Sequence, residues 1–188
     1  MAPMDRALRV AIIGAGPAGS LCAIALLRRA AAHGRAVAVS LFDRKRFCAF
    51  GPRGCNLCAG VISDTLIRNL ESLGVLIPPA LIQGRIRAYR LETRVGSLRI
   101  ERPSGSVIYT VYRGMGPVGL EYDEARSFDH FLLRTAEHLG ALHVPRLVAE
   151  VTRSAGSFLL TCDRGERHAA DVLVGAFGVN SAMGRRLR

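Results

Sequence analysis

The order of apolar and polar positions along the chain predicts an α/β fold. The consecutive apolar residues Val10–Ile13 are typical of a buried strand, and the run Ala36–Phe42 is typical of a second, parallel strand. Between them, an alanine- and leucine-rich stretch from Pro17 to about His33 has the composition of a helix, which Gly34 would end as a C-cap residue. The chain therefore begins with a strand–helix–strand unit.

The middle of the chain changes from helical to alternating spacing. After a loop at 44–60 that contains glycine, proline and cysteine, the apolar spacing of Ser63–Leu73 predicts a helix with Ser63 or Asp64 as N-cap and Gly74 as C-cap. Between about 83 and 113, alternating runs joined by turn residues predict an inserted antiparallel β-meander. Its three strands are expected at Arg85–Thr93, Ser97–Glu101 and Val107–Tyr112.

The last third returns to a helix and strands. Apolar residues at helical spacing predict a helix that starts near Asp123 or Ser127 and ends at Gly140. Strands are expected at Ala141–Val144 and Leu147–Arg153, as one strand interrupted at Pro145–Arg146, then at Phe158–Cys162 and, in parallel, at Ala170–Gly175. The whole chain, 1–188, is thus predicted to form one Rossmann-like domain with an antiparallel insertion.

Three glycines in the spacing G-x-G-x-x-G join the first strand to the first helix. Gly14 would make the turn, Gly16 would let the backbone approach a pyrophosphate, and Gly19 would let the helix pack closely. The N–H groups at the start of a helix have no intrahelical partners and carry the positive dipole end, which favours an anion. Asp43 ends the second strand, where a ribose hydroxyl is usually bound. We predict a dinucleotide site here, with a merely structural unit as the alternative.

Composition and charge indicate a globular protein with a basic surface. Hydrophobic residues make up 49% of the chain, which excludes a disordered protein. The formal net charge of +11 raises the question of nucleic acid or an anionic membrane as a partner. The arginines are scattered and no nucleic-acid-binding module is present, so we expect no nucleic-acid partner. Peripheral membrane contact stays open.

Cysteine usage and the absence of a long apolar run predict a cytoplasmic location. No apolar run is long enough to span a bilayer. The order of Arg6, Arg9 and the apolar run imitates a signal peptide, but the glycine fingerprint explains the same residues better. The five cysteines are an odd number and form no disulfide framework, which fits a reducing compartment.

The pair Cys55-x-x-Cys58 admits three interpretations. Zinc needs four ligands, and no second pair stands at a matching spacing, while a thioredoxin-type dithiol normally opens a helix. We favour small loop residues over both, and we predict no metal. The five histidines form no ligand pattern, Cys22 is expected in the core, and no residue stands out as a catalytic acid or base.

Three segments are similar to motifs of a known superfamily. They are Gly14–Gly19 with Asp43, the helix Phe128-Asp129-x-x-Leu132 followed by Gly140–Ala141, and Ala170–Ser181. Together they resemble the N-terminal half of the flavoprotein monooxygenase and geranylgeranyl reductase superfamily, the para-hydroxybenzoate hydroxylase type of FAD enzyme. The loop 52–60 resembles the geranylgeranyl reductase-like members more than the hydroxylases.

The resemblance implies FAD as the cofactor and assigns its contacts. Gly14, Gly16 and Gly19, with the intervening Ala15, Pro17 and Ala18, would hold the pyrophosphate, and Asp43 would hold the adenosine ribose. Arg44 and Arg53 would neutralise phosphate or approach the flavin, Arg126 would face the cofactor, and Val148 would lie at the adenine edge.

The implied reaction is hydride transfer from reduced flavin to an isoprenoid-like double bond or another small organic substrate, with NADPH as an electron donor. The alternatives are an FAD-dependent aromatic hydroxylase and a truncated flavin-binding protein without turnover. Members of the superfamily carry aspartate where this chain has Phe177, which puts NADPH use and tight FAD binding in question. They also continue past this point, so the chain is expected to lack the C-terminal part of the fold. The oligomeric state is not predicted.

Overall fold

The computed structural model of the chain describes residues 6–53, 58–116, 126–154, 156–178 and residue 183. The chain divides into two units: Met1–Lys45 with Phe131–Arg188 form the first, and Arg46–His130 form the second. The helices are α1 (Pro17–Ala32), α2 (Asp64–Ser72) and α3 (Phe128–His138). The strands are β1 (Leu8–Ile13), β2 (Val37–Phe42), β3 (Val61–Ile62), β4 (Gly84–Arg85), β5 (Ala88–Thr93), β6 (Gly96–Glu101), β7 (Tyr109–Thr110), β8 (Leu142–Val144), β9 (Val148–Ser154), β10 (Ser157–Cys162), β11 (Arg167–Ala170) and β12 (Val172–Gly175).

The first unit contains a four-stranded parallel sheet in the order β12, β1, β2 and β8. Ile12 of β1 pairs in register with Leu41 of β2 on one side and with Val174 of β12 on the other. Residues Val10–Ile13 are all buried, which is why this strand is apolar at consecutive rather than alternate positions. The parallel strands predicted at the two ends of the chain are confirmed.

Helix α1 connects β1 to β2 and has the ends that the sequence predicts. Pro17 occupies its first position, where an N–H would have no intrahelical partner. Gly34 has a φ of +61°, and its N–H donates to the carbonyl oxygen of Ala31 at 3.2 Å. Glycine adopts this left-handed conformation without a steric penalty, so the helix ends here.

The first unit also contains an antiparallel sheet in the order β11, β10 and β9. The prediction of one strand interrupted at Pro145–Arg146 is wrong: β8 pairs with β2 in the parallel sheet, whereas β9 pairs with β10. Proline has no N–H to donate to a ladder, so pairing stops there and the chain changes sheets. The sequence pattern also missed β11, which pairs with β10.

One hydrophobic cluster of the first unit contains residues from both sheets. Its buried members come from β1, β2, β9, β10, β11 and the residue at 183; they are Ala11, Ile13, Phe42, Val148, Leu160, Cys162, Ala170 and Met183. Burial raises the pKa of the Cys162 thiol above its ordinary value. Cys162 therefore behaves as a small apolar core residue rather than as a reactive thiol.

The second unit contains α2 and two small sheets. The Ser63 hydroxyl accepts a hydrogen bond from the Leu66 N–H at 3.4 Å, so Ser63 is the N-cap, and Gly74 follows the helix with a φ of +64°. Strands β3, β7 and β4 form a three-stranded antiparallel sheet, and β5 pairs with β6 as a hairpin.

The antiparallel insertion predicted for 83–113 is present, but its strand order differs from that of a meander. The first predicted run, Arg85–Thr93, divides into β4 and β5; β5 pairs with β6, whereas β4 pairs with β7. The connection 102–108 is longer than a tight hairpin turn, so it does not force β7 to lie beside β6. Tyr109 of β7 instead lies opposite Arg85, whose guanidinium stands 5.5 Å from the centre of the tyrosine ring.

Helix α3 begins directly after Ser127, which is one of the two predicted starting positions. The Ser127 hydroxyl accepts a hydrogen bond from the His130 N–H at 3.2 Å, while the other predicted start, Asp123, lies outside the described residues. Gly140 follows the helix with a φ of +102°. Within the part of the chain that the structure describes, no helix is both long and apolar enough to cross a membrane.

Candidate functional site

Two glycines allow close main-chain contacts around the turn that follows β1. Gly14 has a φ of +106°, and a Cβ atom on it would lie 2.3 Å from the carbonyl oxygen of Ala176. A Cβ atom on Gly19 would lie 1.8 Å from the carbonyl oxygen of Gly14 and 3.3 Å from Cγ2 of Ile12. Both distances to main-chain oxygen are far below van der Waals contact, so a side chain at Gly14 would displace the main chain at Ala176, and a side chain at Gly19 would push the helix away from the turn. The turn and packing roles predicted for these glycines are confirmed.

Gly16 differs from these two glycines because it has neither a positive φ nor a close neighbour. Its φ of −66° and ψ of −174° are open to every residue, and a Cβ atom on it would have no neighbour within 4 Å. Glycine at this position therefore leaves open space beside the first turn of α1. A pyrophosphate that approaches the backbone needs such a space, so the cradle fits the group that the sequence predicts.

The first turn of α1 is not neutralised by its own side chains. No side chain caps Gly16, and the first turn contains no acidic residue. The first helical hydrogen bond runs from the Ser20 N–H to the Gly16 carbonyl, so the N–H groups of Ala18 and Gly19 have no acceptor within the helix. The positive end of the helix dipole thus faces the open space beside Gly16 and favours an anion there.

Ser20 is a residue of this site that the sequence analysis missed. It is completely buried, and its hydroxyl donates to the carbonyl oxygen of Ala15 at 2.8 Å. This bond ties the helix back to the glycine turn from inside. Serine in an otherwise apolar helical run is the only signal in the sequence that could have indicated it.

The carboxylate of Asp43 is directed toward the glycine turn. One oxygen accepts from the buried Ala15 N–H at 3.1 Å, and the other accepts from the Lys45 N–H at 2.9 Å. Nε2 of His143, on β8, lies 3.0 Å from the Asp43 carbonyl oxygen. These contacts fix the acid at the end of β2 next to the turn, as the fingerprint predicts, and leave carboxylate lone pairs for a further donor such as a hydroxyl.

The structure places the other predicted cofactor residues differently. Arg44 follows Asp43 and is exposed, whereas the side chain of Val148 is 2% exposed and belongs to the hydrophobic cluster, so any contact with an adenine would use its backbone. Arg53, exposed, and Arg126, half-buried, lie in the second unit. The cofactor roles of these four residues stay predictions.

The end of β12 packs against the glycine turn. The Ala176 N–H donates to the carbonyl oxygen of Ile13 at 2.8 Å, and the Ala176 carbonyl is the group nearest to Gly14. Phe177, which follows, is half-buried against the hydrophobic cluster. Residues 179–181 of the predicted second motif lie outside the described residues.

An ion pair network fixes the beginning of β12 beside β1. The Asp171 carboxylate accepts from the backbone N–H of Arg9 at 2.9 Å and from two nitrogens of the Arg9 guanidinium at 2.7 and 3.1 Å; Arg6 adds a contact at 2.9 Å. The Arg9 hydrogen bonds hold the pKa of Asp171 well below its ordinary value. β12 is therefore anchored at both ends, so its carboxyl end has a defined place at the turn.

The second unit contains a buried ion pair that the sequence analysis did not indicate. Nε of Arg113 donates to both carboxylate oxygens of Asp129, at 2.9 and 3.0 Å, and the Asp129 side chain is 0% exposed. The Ser127 hydroxyl donates to the carbonyl of Phe47 at 2.6 Å. A guanidinium nitrogen of Arg113 also lies 3.5 Å from Sγ of Cys58. These contacts connect the beginning of α3 with Arg113 and with the loop 44–60.

The described residues hold no group of three or more His, Cys, Asp or Glu side chains that could bind a metal ion. Cys55 lies outside the described residues, so the zinc and dithiol interpretations of Cys55-x-x-Cys58 are not tested. Cys22, expected in the core, is half-buried, and burial raises its pKa. The cysteines that the structure describes, Cys22, Cys48, Cys58 and Cys162, are free thiols.

The fold is shared with solved oxygenase and halogenase structures. The 2-methyl-3-hydroxypyridine-5-carboxylic acid oxygenase matches with a TM-score of 0.65 at 22% identity, over 92% of this chain and 40% of that chain. The flavin-dependent brominase Bmp2 matches with a TM-score of 0.67 at 20% identity, over 96% and 40%. The halogenase PltM, solved in complex with phloroglucinol and FAD, matches with a TM-score of 0.67 at 14% identity, over 96% and 36%. No protein-family model and no curated protein matches the sequence.

At these identities the likeness establishes the fold. The chain spans between 36% and 40% of the length of the three solved proteins, so it corresponds to a part of each. The parallel sheet, the glycine turn and the acid at the end of β2 all belong to that part of this chain. The chain therefore has the α/β fold that its resemblance to the para-hydroxybenzoate hydroxylase type of flavoprotein implied.

Proposed function

We propose that this chain binds FAD at the β1–α1 turn and forms the cofactor-binding part of a flavin-dependent oxidoreductase. The observation that carries the proposal is the open, electropositive space beside Gly16, with the Asp43 carboxylate fixed next to it. A βαβ unit that served packing alone would need Gly14 and Gly19 but would not need glycine at position 16. The fold of the solved oxygenase, brominase and halogenase supports the same conclusion.

Asp43 would select the adenosine end of the cofactor. A carboxylate at the end of β2 can accept hydrogen bonds from ribose hydroxyls, but it repels a phosphate at the 2′ position. The ribose of FAD carries free hydroxyls, so Asp43 suits FAD and disfavours a 2′-phosphorylated dinucleotide at this turn. The N–H groups at the start of α1 would bind the pyrophosphate, and Ser20 would keep the turn in place.

When bound, FAD supplies the redox chemistry, because it accepts and returns two electrons together with a proton. The protein would bind and orient the cofactor and exclude water. We include NADPH as the proposed electron donor, acting at a separate site. A small organic molecule is the proposed substrate, and the cytoplasm is the proposed location, which the free thiols of Cys22, Cys48, Cys58 and Cys162 support.

Two reaction classes remain within this proposal. The structural likeness to an oxygenase and two halogenating enzymes favours chemistry that uses oxygen, such as aromatic hydroxylation. The resemblance of the loop 52–60 favours a geranylgeranyl reductase-like transfer of hydride to an isoprenoid-like double bond, with a solvent proton completing the saturated product. Residues 54–57 of that loop lie outside the described residues, so the structure neither supports nor opposes that resemblance. We place the oxygenase class first because the solved structures of similar fold support it.

The first test is retention of flavin by the purified chain. After incubation with FAD and gel filtration, we expect flavin absorbance to elute with the protein. Asp43→Ala should lose most of it, whereas Asp163→Ala, which removes the same charge from an exposed turn of the first unit, should retain it. A folded chain that retains no flavin and shows no FAD binding by titration would refute the proposal.

The second test separates the reaction classes. With flavin bound, NADPH oxidation and oxygen consumption are measured in the presence of aromatic and of prenyl substrates. Oxygen uptake that matches hydroxylated product supports the oxygenase class, and loss of a substrate double bond without oxygen uptake supports the reductase class. Flavin binding without either reaction supports the third alternative, a flavin-binding protein without turnover.

A further inference from the structure

The main chain of Asp43 is attached to β8 on both sides. Its N–H donates to the carbonyl oxygen of Val144 at 3.2 Å. Its carbonyl oxygen lies one residue beyond the end of β2 and is contacted by a side chain, Nε2 of His143, at 3.0 Å. A carbonyl oxygen can only accept a hydrogen bond, so Nε2 carries the hydrogen and donates it. His143 thus extends the attachment of β2 to β8 by one hydrogen bond, at the residue whose carboxylate lies beside the glycine turn.

The other nitrogen of the His143 ring faces a carboxylate on α3. Nδ1 lies 3.9 Å from Oε1 of Glu137, and the side chains of His143 and Glu137 are only 18% and 23% exposed. The second carboxylate oxygen of Glu137 pairs with Arg134 at 2.7 Å, one turn back on the same helix. The imidazole is therefore held between a helix carboxylate and the main-chain carbonyl of Asp43, and all of these residues belong to the first unit.

The two protonation states of this ring make different contacts with the same neighbours. In the neutral ring, Nε2 keeps its hydrogen for Asp43, and Nδ1 turns a lone pair toward the Glu137 carboxylate. In the imidazolium both nitrogens are donors, so one serves the carbonyl and the other faces the carboxylate. The hydrogen bond to Asp43 then becomes charge-assisted, and such bonds are about twice as strong as neutral ones. Protonation of His143 therefore fixes the main chain of Asp43 more firmly.

Other titratable and charged groups near the end of β2 contact different atoms. The Asp43 carboxylate accepts from two backbone N–H groups, at 3.1 and 2.9 Å. His168, on β11, stands edge-on to the ring of Phe42, with 5.0 Å between the ring centres. Two exposed cations follow Asp43 in the chain, Arg44 and Lys45. A proton on His168 would act on Phe42 first, whereas a proton on His143 acts on the hydrogen bond to Asp43 itself.

We propose that His143 is a positioning residue for Asp43 and that its protonation tightens the binding of FAD. FAD binding at the β1–α1 turn is the proposed function on which this role rests, because Asp43 would hold the adenosine ribose. The imidazolium holds Asp43 more firmly and adds a positive charge beside the site of an anionic cofactor. Both effects have the same sign. Affinity for FAD increases as the pH falls, and by linkage bound FAD makes the imidazole hold its proton more tightly.

Fluorescence titration with FAD on both sides of histidine titration tests the proposal. We expect the unmodified chain to have a dissociation constant about three- to tenfold lower at about pH 6 than at about pH 8. His143→Gln keeps an N–H donor for the Asp43 carbonyl but cannot become charged, so its affinity should be that of the unmodified chain at the higher pH and should hardly change with pH. His143→Leu loses the donor and should bind FAD at least about fivefold more weakly at both pH values.

A matched control is available on α3. His138→Gln makes the same substitution at an exposed histidine whose Nδ1 lies 2.7 Å from the Arg134 carbonyl oxygen, and it should keep the pH dependence of the unmodified chain. If His143→Gln kept that pH dependence, or if His143→Leu bound FAD as tightly as the unmodified chain, the role of His143 would be overturned while FAD binding itself stood.

A measurement on the chain without FAD separates this role from the proposed function. The Ala15 amide donates to the Asp43 carboxylate, so its NMR resonance reports the position of that group. We expect this resonance to titrate together with the ring resonances of His143, and His143→Gln should abolish the effect. Coupled titration without any FAD binding would refute the proposed function and the effect on affinity but leave the positioning of Asp43 standing. FAD binding without coupled titration would refute the role of His143 alone.

Discussion

Gly16 and Gly19 offer opposite outcomes for the same substitution, glycine to alanine. In Gly16→Ala the new methyl group has no neighbour within 4 Å and the backbone is already in a region that alanine adopts. Such a substitution stabilises a protein by about 0.4–1 kcal/mol, because it reduces the freedom of the unfolded chain. For a chain of this size that raises the melting temperature by no more than about 4 °C. The methyl group would nevertheless occupy the space that we propose for the pyrophosphate.

Gly19→Ala places its methyl group 1.8 Å from the carbonyl oxygen of Gly14. The helix and the turn would have to move apart by more than about 1 Å to restore contact distance. Alanine gains about 1 kcal/mol of helix propensity over glycine, but overpacking of this kind costs about 1–3 kcal/mol or more, and here the obstacle is main chain. We expect a net loss of about 2 kcal/mol, or about 4–8 °C in melting temperature.

The assay combines thermal denaturation without FAD and fluorescence titration with FAD. We expect Gly16→Ala to melt no lower than the unmodified chain and at most about 4 °C higher. It should bind FAD at least about tenfold more weakly, a difference of about 1.4 kcal/mol. Gly19→Ala should lose stability and affinity together. FAD binding by Gly16→Ala at unchanged affinity would refute the assignment of the open space to the pyrophosphate. A stable Gly19→Ala would refute the packing argument.

Three further predictions address the charged groups. Asp43→Asn leaves only one side-chain oxygen for two backbone N–H groups, so FAD titration should show a dissociation constant about five- to twentyfold higher; an unchanged constant would remove Asp43 from the site. Arg113→Ala removes the guanidinium nitrogen that donates to both oxygens of the buried Asp129 carboxylate, and urea denaturation should show a loss of about 1.5–3 kcal/mol in the free energy of unfolding. Arg68→Ala, at an exposed helical pair, should lose less than about 0.5 kcal/mol, and equal losses for the two would contradict the role of burial. Because Arg9 lowers the pKa of Asp171 in the folded state, the unfolded chain binds that proton more tightly, so stability falls as the pH decreases below about 4. Asp171→Asn should lose this part of the acid sensitivity, which urea midpoints at neutral and acidic pH would show; an unchanged pH dependence would assign it to other groups.

The sequence was sufficient where structure depends on local signals. β1, α1 and β2 lie within two residues of their predicted bounds, because a continuous apolar run, a G-x-G-x-x-G turn and a glycine at the helix end each act over a few residues. Ser63 and Ser127 cap their helices for the same reason: each hydroxyl oxygen accepts a hydrogen bond from an N–H only three residues further along the chain.

Pairing between distant segments could not be read in the same way. The position of β7 beside β4 depends on contacts between residues near 85 and residues near 109, and alternation alone is equally compatible with β7 beside β6. β11 has the sequence Arg-His-Ala-Ala, which has little preference for a strand; it becomes one because the turn at 163–165 returns it to β10. The change of sheet at Pro145 was missed for the same reason, because the pairing of β8 with β2 and of β9 with β10 depends on residues that are distant in sequence or on sheet membership.

In the candidate site, too, the residues of a local motif could be predicted and the residues that meet across a long sequence distance could not. The glycines and Asp43 belong to a motif whose spacing is local, whereas Arg113 and Asp129 meet across a sequence distance of sixteen residues. One signal for Asp129 was present: it stands three residues before Leu132 and seven before Ala136, on the buried face of α3. A carboxylate at an apolar position of a helix requires a partner, and an arginine is the usual one.

Phe177 shows how a departure from a family pattern can be explained by packing. Its side chain lies against the hydrophobic cluster, and a Cβ atom on Gly175 would come within 2.8 Å of its ring. The contact that shapes the glycine turn is made instead by the carbonyl of Ala176, which any residue at 177 leaves in place. An aspartate at 177 would set a charge against apolar neighbours, so its return would cost stability unless a cofactor or a cation compensated it. The phenylalanine is therefore compatible with an intact glycine turn.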